Sequence, residues 1–344
     1  MFLSNSARPF RVLSLGEVML RLSPFGKERI AFSDSFSKTA GGSELNVAAG
    51  VAALGMRAGI ITKLPDNEIG EFVKHKIRFS GVSDDFVLYD TRADKRLGIY
   101  YSESGAYPRL PEVLYDRHGS SFTTLKLDEL PTNVFHSADV FHLSGITLAL
   151  GDNIRAVAID VLHRFRNAGA LISFDVNYRA SLWSDEAARE AIRSVLPLVN
   201  VLFVSEETLR KMLNECGTLS EIQEKYAKLY PALRIIASTQ RRVKSARTHS
   251  FTSLAYDTDD KRHYSESAYE DIDVIDRIGS GDAYVAGALY GFIKDGTVDS
   301  LVKYGNAMSA LKSTTHGDMS MCNLTDVERV IKNHAKNDGT EMIR

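Results

Sequence analysis

The sequence predicts an α/β fold: a mostly parallel central sheet with helices on both faces, plus a small β lid. Three observations carry the prediction. Short β-rich runs, each closing on a polar residue, start at positions 140, 171, 201 and 234 (Val140 to Ser144, Leu171 to Asp175, Val201 to Ser205, Arg234 to Ser238). Apolar residues recur at helical spacing between the first three, which makes strand–helix–strand units in series and hence a parallel sheet. Two stretches, Arg21 to Thr39 and Asp90 to Thr124, break that rhythm.

In chain order, Val12 to Leu15 and Ile60 to Lys63 read as strands of the same sheet, with an Ala-rich helix from Glu44 to Leu54 between them. Within the second irregular stretch, Arg96 to Glu103 and Glu112 to Arg117 read as strands around a turn holding Gly105, Pro108 and Pro111. Ile99, Tyr100, Tyr101, Val113, Leu114 and Tyr115 make that stretch too apolar for a solvated loop. Further on, Ile154, Val157, Ala158, Val161, Leu162 and Phe165 trace a helix that Asp152 is placed to cap and Gly169 to end. Ala188, Ala191, Ile192, Val195 and Leu196 repeat the pattern behind Ser184. The expected organisation is a core of residues 1–16, 40–89 and 125–335, a lid of 17–39 and 90–124, and a flexible polar tail of 336–344.

With 42 Lys+Arg against 44 Asp+Glu, the chain has no net field to draw nucleic acid or anionic lipid. No apolar run approaches the ~18 residues that span a bilayer, and Met1 to Pro9 lacks the charged and apolar parts of a signal peptide. A cytoplasmic protein is expected. Cys216 and Cys322 form no CxxC and read as free packing residues.

The most specific segment is Asp276-Arg-Ile-Gly279-Ser280-Gly281-Asp282-Ala283, with Ala286 and Gly287 following on a helix. Its glycines open backbone angles closed to other residues, and successive N–H groups at a helix start can seat a phosphate oxygen. A carboxylate beside a phosphate is unfavourable unless it accepts a proton from an attacking hydroxyl, which is the role this reading gives Asp282. An ordinary capping aspartate is the competing reading. A second segment, Gly41-Gly42-Ser43-Glu44-Leu45-Asn46, lets a ligand approach the backbone at Gly42 and sets the Asn46 amide in a first helical turn, able to donate and accept with sugar hydroxyls. Taken by itself, the segment reads as tight helix packing with Asn46 as a local cap.

Taken together, the two segments resemble the ribokinase-like (PfkB) carbohydrate kinases, with their early Gly-Gly-x-x-x-Asn helix start and late Gly-Ala-Gly-Asp anion hole. Order, separation and the intervening rhythm agree over nearly the whole chain. The resemblance implies transfer of the ATP γ-phosphate to a sugar hydroxyl with Mg²⁺ escorting the nucleotide. Asp282 would be the base, and the N–H groups of Gly279, Ser280, Gly281 and Asp282 would hold the phosphoryl group. It assigns Ser205, Ser238, Thr239 and Asn306, with Gly279 and Gly281, to the nucleotide, and implies a β lid over the sugar.

Tyr115 and Arg117 share a strand face, and Arg179 follows Asp175-Val-Asn177-Tyr178. If both arginines converge on one pocket, its preferred ligand carries a carboxylate, which a guanidinium grips with two parallel hydrogen bonds; solvated surface arginines are the alternative. Leu97-Gly98-Ile99-Tyr100, Val113-Leu-Tyr115-Asp-Arg117, Ser144-Gly145-Ile146-Thr147 and Phe174-Asp175-Val-Asn177-Tyr178-Arg179 resemble the 2-keto-3-deoxygluconate kinase branch. In that branch the residues matching Gly42, Tyr100, Tyr115, Arg117, Arg179 and Asp282 face the sugar acid, so the resemblance implies phosphorylation of its terminal hydroxyl to 2-keto-3-deoxy-6-phosphogluconate. Asn46 joins this set, and Glu17 and Arg21 are further candidates unless they form a solvated pair.

Two departures stand out. The family's Asn-x-x-Glu is Ser205-Glu206-Glu207-Thr208 here, which leaves the metal-organising residues unassigned. The nucleotide loop Thr-x-Gly-x-x-Gly is replaced by Ser238-Thr239-Gln240-Arg241-Arg242-Val-Lys244-Ser245-Ala-Arg247, whose cations could touch ATP phosphates or simply be hydrated. A neutral-sugar kinase and a non-catalytic sugar-binding regulator are the alternatives, and an apolar lid edge could pair two subunits. A dinucleotide-dependent dehydrogenase is disfavoured because no GxGxxG follows the first strand. His136 and His142 lack metal-ligand spacing and read as core or edge histidines.

Overall fold

The protein is described from a computed structural model that covers residues 7–245 and 247–336. The expected tail beyond Lys336, and Met1 to Ser6, lie outside the described residues. Its strands are β1 (Phe10–Leu15), β2 (Met19–Pro24), β3 (Phe36–Gly41), β4 (Ala58–Pro65), β5 (Ser83–Asp90), β6 (Ile99–Glu103), β7 (Glu112–Asp116), β8 (Ala138–Ser144), β9 (Leu171–Asp175), β10 (Val201–Ser205), β11 (Ile235–Val243), β12 (Thr248–Asp257), β13 (Arg262–Ser265) and β14 (Tyr269–Asp273).

One sheet has the order β13-β12-β11-β10-β9-β8-β1-β4-β5, with β14 also on β12. Pairing is parallel from β11 through to β5 and antiparallel among β11, β12, β13 and β14. Alternate residues of one strand feed different cores: Val12 packs with the helices Ser43–Ala53 and Ser280–Asp295, whereas Leu13 and Leu15 pack with Asp152–Asn167 and Asp185–Val195. Burial on both faces is why these strands read as continuous apolar runs. The expected bounds of β9 and β10 match those observed.

Other expectations are corrected. Gly151, not Asp152, is the cap of the helix Asp152–Asn167; Asp152 is its first residue and holds Arg155 at 3.1 Å. Ser184 does cap its helix, accepting from the Ala187 N–H at 3.3 Å. The strand expected to stop at Ser238 continues to Val243, because its polar half is held by backbone pairing with β12 (Gln240 to Thr252, Arg241 to Phe251) and needs no apolar signal. The helix Leu324–Lys336 takes in Lys336, the first residue of the expected tail. Cys216 is exposed rather than a packing residue, while Cys322 is half-buried. His142 is fully buried, with Nδ1 2.9 Å from the Ser173 hydroxyl, whereas His136 is exposed.

The two irregular stretches form a second sheet in the order β3-β2-β6-β7, with β2 parallel to β6. Strand β7 ends at Asp116, so Arg117 stands just beyond it rather than on its face. Strand β3 runs to Gly41 and the helix Ser43–Ala53 begins two residues later. A single residue, Gly42, therefore joins the small sheet to a helix of the large one. Among the described residues no helix is long and apolar enough to cross a membrane.

Candidate active site

The helix Ser280–Asp295 starts from Gly279, whose φ of +82° is left-handed. A Cβ at that position would run into the Asp318 carbonyl, so the turn demands glycine on both counts. The segment leading in is tied down: the Asp276 carboxylate accepts from the Ile278 N–H at 3.0 Å and the Gly317 N–H at 3.2 Å and pairs with Arg21 at 2.8 Å. First-turn N–H groups have no intrahelical acceptor. That of Ser280 is spent on the Arg277 carbonyl at 3.1 Å, whereas those of Gly279, Gly281 and Asp282 have no partner among the described residues. The amide cup is therefore built without Ser280, contrary to expectation.

Asp282 is 8% exposed, and its carboxylate accepts from the Ser43 hydroxyl at 2.8 Å, the Asn46 amide at 2.7 Å and the Asn177 amide at 3.4 Å. Burial pushes its pKa above the ordinary aspartate range, against those hydrogen bonds and Arg179. Ser43 and Asn46 reach it from the first turn of Ser43–Ala53. Asn177 reaches it from the end of β9, where φ is +35°, a conformation asparagine tolerates. Asp175, two residues earlier, is pushed up to about 7 by burial and then by Asp282. What presses on Gly42 is the Glu17 carbonyl, which a Cβ would meet. Behind this group, Glu44 accepts from the Ser144 N–H and hydroxyl and the Thr147 hydroxyl at 2.7–3.0 Å, locking the helix to the end of β8.

These groups open onto one cleft of about 1300 Å³, which brings together Gly42, Asn46, Tyr100, Tyr115, Arg117, Arg179, Ser205, Thr239, Gly279, Ser280, Gly281 and Asp282. Two predicted residues are elsewhere. Ser238 is fully buried behind the sheet, accepting from Gln223 at 3.0 Å; Asn306 is fully buried on its helix, donating to Glu266 at 2.9 Å.

On the lid side, Tyr100 and Tyr115 face each other across β6 and β7 with ring centres 5.8 Å apart. The Tyr100 hydroxyl donates to Asp318, which also takes Arg21 at 2.6 Å. Glu17 and Arg21 are buried rather than solvated. Glu17 accepts from Arg117 and from the Ser120 hydroxyl, so although both arginines converge on one cleft, the Arg117 charge is already matched and only Arg179 is left open to a ligand carboxylate. Arg179 has no carboxylate partner among the described residues, its one hydrogen bond going to the Tyr178 carbonyl at 3.2 Å. Asp318, Asn177, Ser43 and Glu44 escaped the sequence reading. Asn177, Ser43 and Glu44 stood inside quoted motifs without a role, and Asp318 left no trace.

No group of three or more His, Cys, Asp or Glu side chains among the described residues could cage a metal ion. The carboxylates near the Ser205 cap are occupied: Glu206 by Arg210 at 3.0 Å and Gln240 at 2.8 Å, Glu207 by Lys211 at 2.8 Å. That donor set fits a Mg²⁺ carried on nucleotide phosphates, which keeps most of its water, rather than one held by protein ligands.

The family model for pfkB carbohydrate kinases matches residues 10–326. The chain belongs to that family. It is a phosphotransferase acting on a sugar hydroxyl, built on the ribokinase-like fold. It is 35% identical to a Haloferax volcanii 2-dehydro-3-deoxygalactonokinase over 93% of this chain and 96% of that one. The crystal structure of a Thermotoga maritima 2-dehydro-3-deoxygluconokinase superposes with a TM-score of 0.89 at 31% identity, covering 95% of this chain and 100% of that one. An Escherichia coli protein described as a ribokinase II, solved with ATP and Mg²⁺, shares the fold at a TM-score of 0.80 and 17% identity, over 94% of this chain and 100% of that one.

Proposed function

We propose that the protein transfers the γ-phosphate of ATP to the terminal hydroxyl of a 2-keto-3-deoxy sugar acid, with 2-keto-3-deoxygluconate giving its 6-phosphate. The observation that carries this reading is the Arg179 guanidinium, unpaired by any carboxylate among the described residues and lining the same cleft as Asp282 and the Gly279 turn. A cation so placed calls for a ligand carboxylate. Asn46 Oδ1, buried and without a partner among the described residues, is left to accept from a sugar hydroxyl.

In the proposed step the terminal hydroxyl lies against Asp282, which takes its proton as the oxygen–phosphorus bond forms and the bond to the ADP oxygen breaks. The raised pKa of Asp282 suits it to hold that proton and later release it. The N–H groups of Gly279, Gly281 and Asp282 hold the phosphoryl oxygens, adding the positive end of the helix to the site. Mg²⁺, bound with the nucleotide, neutralises phosphate charge. The β2-β3-β6-β7 sheet serves as the lid that keeps water from the transferring group, and Thr239 and Ser205 flank the nucleotide.

A neutral-sugar reading is favoured by one observation, the Glu17–Arg117 pair, which removes one of the two charges expected to demand an acid. A coupled ADP-release assay across 2-keto-3-deoxygluconate, 2-keto-3-deoxygalactonate, fructose and ribose separates the two. Turnover of the keto-deoxy acids is expected; strong turnover of fructose with neither acid accepted contradicts the proposal.

A further inference from the structure

Three cations lining the cleft are already matched, Arg117 by Glu17, Arg210 by Glu206 at 3.0 Å and Lys211 by Glu207 at 2.8 Å, whereas Arg179, Arg241, Arg242 and Arg277 have no ion pair among the described residues. Arg241 and Arg277 line the same cleft and have no ion pair and no side-chain hydrogen bond among the described residues. They arrive from different directions, Arg241 on β11 opposite Phe251 and Arg277 two residues before the Gly279 turn. The fold nevertheless sets them close together. The cleft walls and then Arg277 lower the Arg241 pKa; His249 is lowered by burial and then by both arginines; Glu207 is lowered by Lys211 first and by both arginines as well. Two unpartnered guanidinium groups repel each other, and a multiply charged anion between them would turn that repulsion into attraction.

We infer that Arg241 and Arg277 are the polyphosphate-holding residues of this cleft, gripping the β- and γ-phosphates of the nucleotide where the glycine turn and the metal-organising glutamate of the resembled motifs are missing. The inference rests on the ATP-dependent reading above and adds to it which side chains select a triphosphate. Arginine suits the task because its planar fork matches two phosphate oxygens at once. Arg179 is left for the sugar acid, so these three guanidinium groups are divided between two ligands, while Arg242, next to Arg241 on β11, is exposed.

Calorimetric binding of AMP and of Mg²⁺ with the non-hydrolysable triphosphate AMP-PNP to the full chain, to Arg241→Gln and to Arg277→Gln tests this. Each substitution is expected to weaken AMP-PNP on the order of tenfold, the scale of one charge-assisted hydrogen bond. AMP affinity and the KM for the sugar acid should stay within about twofold of wild type, and Arg247→Gln should change nothing. Unchanged AMP-PNP binding in both variants overturns the inference. So does equal weakening of AMP, or a rise confined to the sugar-acid KM, which would make these arginines carboxylate holders. On the unsubstituted chain, inorganic tripolyphosphate should displace AMP-PNP, and its failure to do so contradicts the inference whatever the variants do. A chain that binds no adenine nucleotide and phosphorylates no sugar removes the ATP reading and this inference together. Normal wild-type turnover with variants that match it removes this inference alone.

Discussion

At the lid end of the cleft, Arg117 sits on Glu17 and Arg21 on Asp276 and Asp318; at the hairpin end, Arg241 and Arg277 face the cleft without a carboxylate among the described residues. The first arrangement is complete before any ligand binds and holds Tyr100 through Asp318 and Tyr115 against Arg117. The second stays electrostatically open and needs charge from outside. One cleft thus divides a preorganised, hydrogen-bonding lid side from a charge-hungry side suited to phosphates, with Asp282, the Gly279 turn and the unpaired Arg179 between them.

The comparison can be broken at several points. Replacing Asp282 with Asn, at the junction, should lower kcat by on the order of 10²-fold or more while sugar binding is largely kept, measured by steady-state kinetics. Near-normal turnover would remove the base. Replacing Glu17 with Ala strands the buried Arg117 and should cost about 3 kcal/mol in urea unfolding. Replacing Arg241 with Gln should stay within about 0.5 kcal/mol, since an exposed unpaired cation supports no fold. Equal losses would mean the two ends are built alike.

Replacing Arg179 with Ala should raise the sugar-acid KM by roughly 1.5–3 kcal/mol equivalent and leave the ATP KM alone; an unchanged KM would place Arg179 outside the sugar pocket. The smallest effect is in pH. Asp282 works ionised and its pKa is raised by burial, so activity should be present above that pKa and fall as pH drops through it. Arg179 favours the ionised form, so its removal should move the acid limb of kcat to higher pH. A limb that stays put or moves lower contradicts the assigned coupling.

Much of the fold was legible because strands β9 and β10, buried on both faces, leave apolar runs that no surface element imitates. The Gly279 turn was legible for a different reason, since a left-handed residue pressed against a carbonyl admits only glycine. The antiparallel edge was not, because β13 and β14 carry mostly polar and charged side chains and are held by backbone pairing with β12. Within the site, the partners of Asp282 were hidden by distance: Ser43 lies 239 positions away and Asn46 lies 236. Arg21 and Asp318 stand 297 positions apart, and no local pattern announces that one will bury the other. Ser238 and Asn306 were misplaced by resemblance alone, which aligns a segment without saying which way each side chain turns.

The most direct test of the whole account is the identity of the product. Incubating the protein with ATP, Mg²⁺ and 2-keto-3-deoxygluconate and following the mixture by ³¹P and ¹³C NMR should show one ADP formed for each new phosphate ester, with the ester on the terminal carbon. Phosphate on another carbon, or ATP consumed with no ester formed, would contradict the placement of the sugar hydroxyl between Asp282 and the amide cup.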